Sequence, residues 1–210
     1  MEGHTERMKS VTVYAHIHFE QIPDPDISGS DPHVISIDSL SDQTPLMELR
    51  DSPDFVPFFR GITWSTSPEP CGDVGLSVRK VVAWPQNTSL ALGEYSGLKQ
   101  LSLVCRKDTI DRNLFYKHYQ RHVDIAREHH GMEKYAQNID LEYLYGPQSK
   151  SSRIDGISEL WFKSKSDWSQ RFYLNDRSQE VIREDTRRFI NFESTSSIMV
   201  SEKRFRRTNK

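Results

Sequence analysis

The chain has 210 residues, which is enough for one large domain or two small ones with a buried core. Its formal net charge of −2 argues against a general attraction to nucleic acids, and its 4 Trp, 8 Tyr and 10 Phe argue against a disordered chain. Two isolated cysteines, a polar N-terminus and the lack of a long apolar stretch predict a cytoplasmic protein with neither nucleic acid nor membrane as its partner.

The first half of the chain predicts three strands around a region without clear periodicity. Apolar and polar residues alternate over 10–19, which is typical of a strand. Further strands are expected at 33–37 and 76–84. Prolines interrupt 42–60, so one or two short helices are expected there, and 85–97 has the composition of a linker.

The second half predicts six elements in the order β-α-β-β-α-β, which is the ferredoxin-like arrangement. They are strands at 98–105, 135–145, 155–163 and 197–205, a helix at 111–128, and a helical region at 166–189 with a break near Asn175. Thr109 or Asp111 is expected to cap the first helix.

Four segments of the second half form a pattern: LFYKHYQRHVDIARE, GMEKYAQN, IDGISELWFKSKSDW and EDTRRFINF, in this order. Together they resemble the EthD family, in which similar segments occur in the same order. The resemblance implies a unit of the dimeric α+β barrel superfamily, in which two units pair their sheets around a central cavity. Members of the group act on aromatic or polyketide-like molecules as isomerases, cyclases, dehydratases, decarboxylases or cofactor-free oxygenases, and others are accessory proteins.

We therefore expect an α+β fold, a ferredoxin-like dimeric α/β barrel. Residues 93–210 would form the EthD-like unit, and residues 1–92 would form a degenerate ferredoxin-like unit in tandem with it. An exposed sheet face is rarely left open to water. Either the first half closes the barrel within one chain, or it decorates a homodimer, which is the default expectation for this fold.

The helix at 111–128 carries two histidines that could do acid–base chemistry. His118 and His122 are four residues apart and share one face of the helix. His122 matches the histidine of the EthD pattern, whereas His118 lies where that family usually has an aromatic residue. No HExxH motif or third ligand accompanies them, so a metal site is not predicted. The alternative is that both histidines pack near the helix end.

The strand at 155–163 offers a candidate carboxylate. Leu160 and Phe162 share one face, and Glu159 and Trp161 share the other. If the first face meets the helices, Glu159 points into the lumen of the barrel, where aromatic neighbours would raise its pKa and suit it to proton transfer. The alternative is an ion pair between Glu159 and a nearby Lys or Arg.

The strand at 10–19 places Tyr14, His16 and His18 on its polar face. If the apolar face of this strand meets helices, these three side chains line the lumen. With His118, His122 and Glu159, the two histidines make up the candidate catalytic set. The expected substrate-binding residues are Tyr14, Tyr119, Tyr135, Asn138 and Trp161.

No motif for a nucleotide, flavin or haem is present, so no cofactor is expected. The preferred hypothesis is a cofactor-independent lyase or isomerase that dehydrates, cyclises or decarboxylates a small aromatic or polyketide-like molecule by His/Glu acid–base catalysis. The first alternative is a non-catalytic small-molecule-binding accessory protein of a degradation or biosynthesis pathway. The second is a structural oligomer whose barrel is filled by its own side chains.

Overall fold

The computed structural model describes residues 10–20, 22, 30–41, 43–44, 46–47, 56–85, 91–147 and 153–206. The elements with defined bounds are β1 (Ser10–His18), β2 (Val34–Leu40), β3 (Gly61–Ser65), β4 (Val74–Trp84), β5 (Gly93–Glu94), β6 (Leu98–Val104), α1 (Arg112–His129), β7 (Lys134–Tyr145), β8 (Gly156–Phe162), α2 (Lys165–Arg171), α3 (Asp176–Thr186) and β9 (Ser196–Arg204). None of the helices in this part of the chain is both long and apolar enough to span a membrane.

The elements of the second half agree with the sequence prediction except for small shifts at their ends. Asp111 caps α1, and Asn175 caps α3 at the predicted break. The sequence does not predict β3, because its five residues are too few to show a periodic pattern. Most of 42–60, where short helices are expected, lies outside the described residues.

Eight of the strands form a closed antiparallel barrel in the order β2-β3-β1-β4-β7-β8-β6-β9, and β9 pairs with β2 to close it. Each half of the chain contributes four neighbouring strands. Within each half, the spatial order is second, third, first and fourth strand. The halves meet at two seams, β4–β7 and β9–β2, so the fourth strand of each half pairs with the second strand of the other.

The register of the strands identifies the inner face of the barrel, because directly paired residues of antiparallel strands lie on the same face. Ala15 pairs with Trp64 and with Leu76, and Leu101 pairs with Glu159. These residues belong to one continuous face, and its apolar members form a buried cluster with contributions from all eight barrel strands. The helices pack on the opposite face, so this cluster fills the lumen.

The placement expected for the polar face of β1 is wrong. Val13 and Ile17 point into the lumen, and Tyr14, His16 and His18 therefore lie on the outer face of the barrel. The physical reason is that an eight-stranded barrel needs apolar side chains to fill its interior, and the first half supplies them from the face that was expected to meet helices. The orientation expected for β8, with Leu160 outside and Glu159 inside, is confirmed.

Candidate functional site

A cavity of about 480 Å³ lies between the outer face of the second-half sheet and the helices α1 and α3. Its volume is in the range of sites for small organic molecules. The sequence predicts a cavity in the lumen, but this one lies outside the barrel. Its apolar lining comes from residues of the sheet, the helices and the connecting segments, among them Leu46, Val104, Met132, Leu160, Phe172 and Ile182.

Short polar side chains of the sheet face this cavity and leave room for it. The hydroxyl oxygens of Ser102 and Ser197 lie 2.8 Å apart, and Ser158 lies on the neighbouring strand. Gly156 leaves space for an aromatic ring, since a Cβ at this position would lie 2.8 Å from Cε1 of Tyr119. Small residues on the outer face of β6, β8 and β9 therefore leave room between the sheet and α1 at this point.

A histidine–carboxylate pair borders the cavity through its histidine. His122 of α1 is buried, and its Nδ1 lies 2.8 Å from Oδ2 of Asp185 on α3. A carboxylate in this position favours the tautomer with the proton on Nδ1 and fixes the orientation of the ring. Nε2 has no hydrogen-bond partner within the described ranges, so it is free to accept a proton from a molecule in the cavity. This is the arrangement of a general base.

Sequence reasoning finds His122 but not Asp185. The buried residues of α3 include Ser178, Ile182 and Thr186, and Asp185 lies on the same face. A carboxylate on the buried face of an amphipathic helix is the one signal that could have identified it, because such a group must find a partner.

Two phenol groups also line the cavity, those of Tyr119 and Tyr135. The Tyr119 hydroxyl lies 2.6 Å from the Ser158 hydroxyl, and Gln137 Nε2 donates to the Tyr135 hydroxyl over 3.0 Å. Burial raises the pKa of Tyr135 and raises that of Tyr119 further. Both groups are therefore neutral hydroxyls at physiological pH and can donate a hydrogen bond to an oxygen of a bound molecule.

His130, which follows the end of α1, is a cavity residue that the sequence prediction omits. Its Nδ1 donates to the carbonyl oxygen of Phe172, and its ring stacks on Tyr173 with centroids 5.4 Å apart. Burial lowers the pKa of His130 to about 4, so it is neutral near pH 7. At the rim, Arg183 and Arg187 are exposed and add positive charge.

Glu159 lies in the lumen, and its expected raised pKa is wrong. Its Oε1 is 2.6 Å from Lys80 Nζ, and its Oε2 is 2.9 Å from Lys99 Nζ. Burial alone would raise the pKa of Glu159, but the two ammonium groups outweigh it and hold the pKa well below the usual range. The structure thus contains the alternative expected from the sequence, an ion pair between Glu159 and nearby lysines. Glu159 is therefore ionised and is not a proton donor.

Asn138 and Trp161 belong to the same luminal cluster as Glu159 and do not line the cavity. Asn138 Nδ2 donates to Glu159 Oε1 over 2.9 Å. Trp161 Nε1 donates to Oε2 of Glu202 over 2.7 Å. Lys99 also lies 2.7 Å from Oδ2 of Asp38. The lumen is therefore occupied by packed side chains at this level.

His16 and His18 make hydrogen bonds away from the cavity. Nε2 of His16 donates to the carbonyl oxygen of Ser67 over 3.1 Å, and its Nδ1 lies 2.7 Å from the Tyr145 hydroxyl. Nε2 of His18 lies 2.9 Å from Oγ1 of Thr63. Burial lowers the pKa of both histidines, that of His18 to about 4. These contacts are not part of the cavity, and the half-buried Tyr14 on the same face does not line it either.

His118 lies one turn before His122 on α1 but does not line the cavity. Its ring stacks on Phe189 with centroids 5.9 Å apart and nearly parallel planes. Of these two histidines, His122 lines the cavity and His118 does not. Across the described residues, no group of three or more His, Cys, Asp or Glu side chains is arranged to hold a metal ion.

The family comparison covers several of the elements that build the cavity. Residues 107–193 match the model of the EthD domain. This span contains α1, β7, β8, α2 and α3, and with them both His122 and Asp185. No curated protein matches the chain in sequence. The second half of the chain therefore contains an EthD domain, a member of the dimeric α+β barrel superfamily.

Proposed function

We propose that the cavity binds a small aromatic or polyketide-like molecule and that the protein acts on it as a cofactor-independent lyase or isomerase. The observation that carries this proposal is the pairing of His122 with Asp185, which leaves Nε2 free at the cavity. Dehydration, cyclisation and decarboxylation of such molecules all need a proton to be moved near a carbonyl or phenol oxygen. A single well-oriented histidine can do this in both directions.

The first step would be the removal of a proton from carbon. Nε2 of His122 takes the proton next to a carbonyl group, and the electron pair of the broken C–H bond moves to the carbonyl oxygen, giving an enolate. The carboxylate of Asp185 stabilises the imidazolium that results. The neutral hydroxyl of Tyr119 or Tyr135 is placed in the same cavity to donate a hydrogen bond to the enolate oxygen.

In the second step, the imidazolium would return the proton. In a dehydration it protonates the departing hydroxyl group, so that water leaves and a double bond forms. In an isomerisation it protonates a different carbon. Both outcomes restore the neutral His122, and neither needs an oxidant or a reductant.

The lining of the cavity is complementary to a flat molecule that carries oxygen atoms. Apolar side chains such as Leu160 and Phe172 cover its faces, while hydroxyl groups of the sheet can meet its edges. The exposed Arg183 and Arg187 at the rim favour an acidic or phenolic group near the opening.

The test compares two histidine variants of the same helix. A panel of hydroxylated aromatic ketones and poly-β-keto compounds is screened for turnover. With any substrate found, His122→Gln should lower kcat by about 10²- to 10⁴-fold. His118→Gln is the matched control, because it lies outside the cavity, and it should retain activity. Equal activity of His122→Gln and the unchanged protein would refute the acid–base role.

A second candidate is a non-catalytic binding protein with the same cavity. It is favoured by the hydroxyl groups that already pair within the protein, such as Ser102 with Ser197 and Tyr119 with Ser158. Such a protein would bind members of the panel without turnover, and His122→Gln would change the affinity only slightly. Equilibrium binding measured beside turnover separates the two functions.

We also infer that residues 1–92 and 93–210 are two ferredoxin-like units in tandem, the first of them degenerate. The support is the shared strand order of the two halves and the reciprocal pairing of their second and fourth strands. A barrel closed within one chain does not need a second copy to cover its sheet. The homodimer stays a prediction, which light scattering of the purified chain would test, and the cytoplasm stays the proposed compartment.

A further inference from the structure

A second cluster of charged side chains lies at one mouth of the barrel, away from the cavity. Lys80 is near the end of β4, Lys134 is the first residue of β7, and Arg204 is the last residue of β9. Since neighbouring strands are antiparallel, the end of β4, the start of β7 and the end of β9 meet at the same mouth. All three residues belong to the inner face, as their cross-strand partners show.

The cations in this region outnumber the carboxylates. Lys80 and Lys99 share Glu159. The lumen cluster has four cationic and three acidic side chains, which are Lys80, Lys99, Lys134 and Arg204 against Asp38, Glu159 and Glu202. One positive charge is therefore left over when all seven groups are ionised.

Lys134 is the cation without a counter-ion. It is only 8% exposed. Its Nζ lies 4.9 Å from the ring centroid of Trp161, and it has no ion pair or hydrogen bond with any other described residue. Burial and the repulsion of Lys80 and Arg204 lower the pKa of Lys134 to about 8, so most molecules carry the charge at neutral pH. A buried cation without a partner is costly and rare in a folded protein.

Arg204 has an unused donor at the same mouth. Its Nη2 donates to Oε1 of Glu202 over 2.6 Å, while its Nε is buried without an acceptor. The side chains of Arg204 and Lys80 are 10% and 13% exposed, so the cluster has slight contact with solvent. Unsatisfied donors and excess positive charge therefore point to the same place.

We propose that this mouth of the barrel binds a small inorganic oxyanion of the phosphate or sulfate type between Lys134 and Arg204. The ammonium group of Lys134 offers three donors, and Nε of Arg204 offers one. The anion neutralises the leftover charge and accepts from the unsatisfied donors. Neither Lys134 nor Arg204 lines the cavity, so this site is distinct from it.

The proposal predicts opposite effects of one substitution on stability and on binding. Lys134→Met keeps a side chain of similar length but removes the charge. Without an anion, the variant should melt at a higher temperature than the unchanged protein, since it no longer buries an unpaired cation. A lysine with a purely structural role would lower the melting temperature when replaced.

The experiment measures the binding of inorganic phosphate and of sulfate to the full chain by calorimetry and by thermal unfolding, at low ionic strength. Chloride at matched ionic strength corrects for screening. The unchanged protein should bind one oxyanion, and Lys134→Met should bind it at least about tenfold more weakly. Lys117→Met, on the exposed face of α1, is the matched control and should bind normally.

Two results would overturn the proposal. One is that neither phosphate nor sulfate stabilises the unchanged protein more than chloride does. The other is that Lys134→Met binds the anion as tightly as the unchanged protein. If Lys134→Met does not fold, Lys134→Gln takes its place and is judged by the same two results.

Discussion

Nδ1 of His122 lies 2.8 Å from Oδ2 of Asp185, and the two residues are 63 positions apart in the chain. The pair joins α1 to α3 across the opening between them, with both side chains mostly buried. The pair therefore has two roles. It orients a base at the cavity, and it holds the two helices in fixed positions. Substitutions that separate the shape of the pair from its charge can distinguish these roles.

Asp185→Asn should lower the activity more than the stability. The amide has the shape of the carboxylate, but its NH₂ group can donate to Nδ1 of His122 and favour the tautomer with the proton on Nε2. A base that is already protonated at Nε2 cannot accept the substrate proton. We expect kcat to fall about 10²-fold or more, with the melting temperature little changed. Nitrogen NMR of the imidazole ring would report the tautomer, and an unchanged tautomer would contradict this explanation.

Gly156→Ala should disturb the cavity through Tyr119. The new Cβ would lie 2.8 Å from Cε1 of that ring, which is fully buried and has little space to move. The ring must shift, and the 2.6 Å contact between its hydroxyl and Ser158 is strained or lost. We expect a loss of about 1–3 kcal/mol in the free energy of unfolding and weaker ligand binding. Binding and chemical denaturation of this variant measure both effects, and an unaltered affinity would mean that Tyr119 does not shape the site.

Glu159→Gln should destabilise the fold strongly. The amide cannot neutralise Lys80 and Lys99, which both lie within hydrogen-bond distance of the Glu159 carboxylate in the lumen. Removing one partner of a buried ion pair costs about 3–5 kcal/mol. The control is Asp140→Asn, which breaks the exposed pair with Arg79 and should cost about 0.2–1 kcal/mol. The free energy of unfolding of both variants is measured with urea. Equal losses would contradict the expectation that a buried ion pair costs more to break than an exposed one.

Asp38 should make the stability fall as the pH rises from about 4 to about 6. Burial raises the pKa of Asp38 to about 6 although Lys99 opposes the shift, while the unfolded chain titrates near the usual value of about 4. Between these values the folded state binds more protons than the unfolded state, so stability is lost with increasing pH. Asp38→Asn lacks this titration.

The free energy of unfolding of Asp38→Asn, relative to that of the unchanged protein, should therefore increase as the pH rises from about 4 to about 6. Glu159→Gln provides a test of the sign, because the pKa of Glu159 is lowered and its contribution is lost as the pH falls through the acidic range. Two variants of one cluster should thus show opposite pH dependences. If the two variants gave parallel curves of unfolding free energy against pH, the pKa values of Asp38 and Glu159 would not be shifted in opposite directions.

The second half was predictable because its patterns are local. Asp111 is followed by the helical pattern of α1, and its Oδ1 accepts from the backbone N of Leu114 over 2.7 Å. The two faces of β8 could also be assigned. The face with Leu160 was expected to meet the helices, and the face that carries the charged Glu159 was expected to meet the lumen. His122 was found for a similar reason, as a histidine near the end of a helix with a matching family pattern.

The errors arise where a decision depends on distant parts of the chain. In β1 both faces are buried, as Ile17 and His16 illustrate, so alternation alone cannot say which face is the lumen. The environment of Glu159 depends on Lys80 and Lys99, which come from two other strands. Asp185 likewise meets His122 only because α1 and α3 pack side by side.

Closing the barrel within one polypeptide also changes how the molecule can vary. In a ring of strands made by two identical chains, every substitution appears twice, and a luminal lysine faces its own symmetry mate. Here the seams β4–β7 and β9–β2 join halves of different sequence. Lys134 and Arg204 therefore each occur once at the mouth, and a change at either position leaves the other group unaltered.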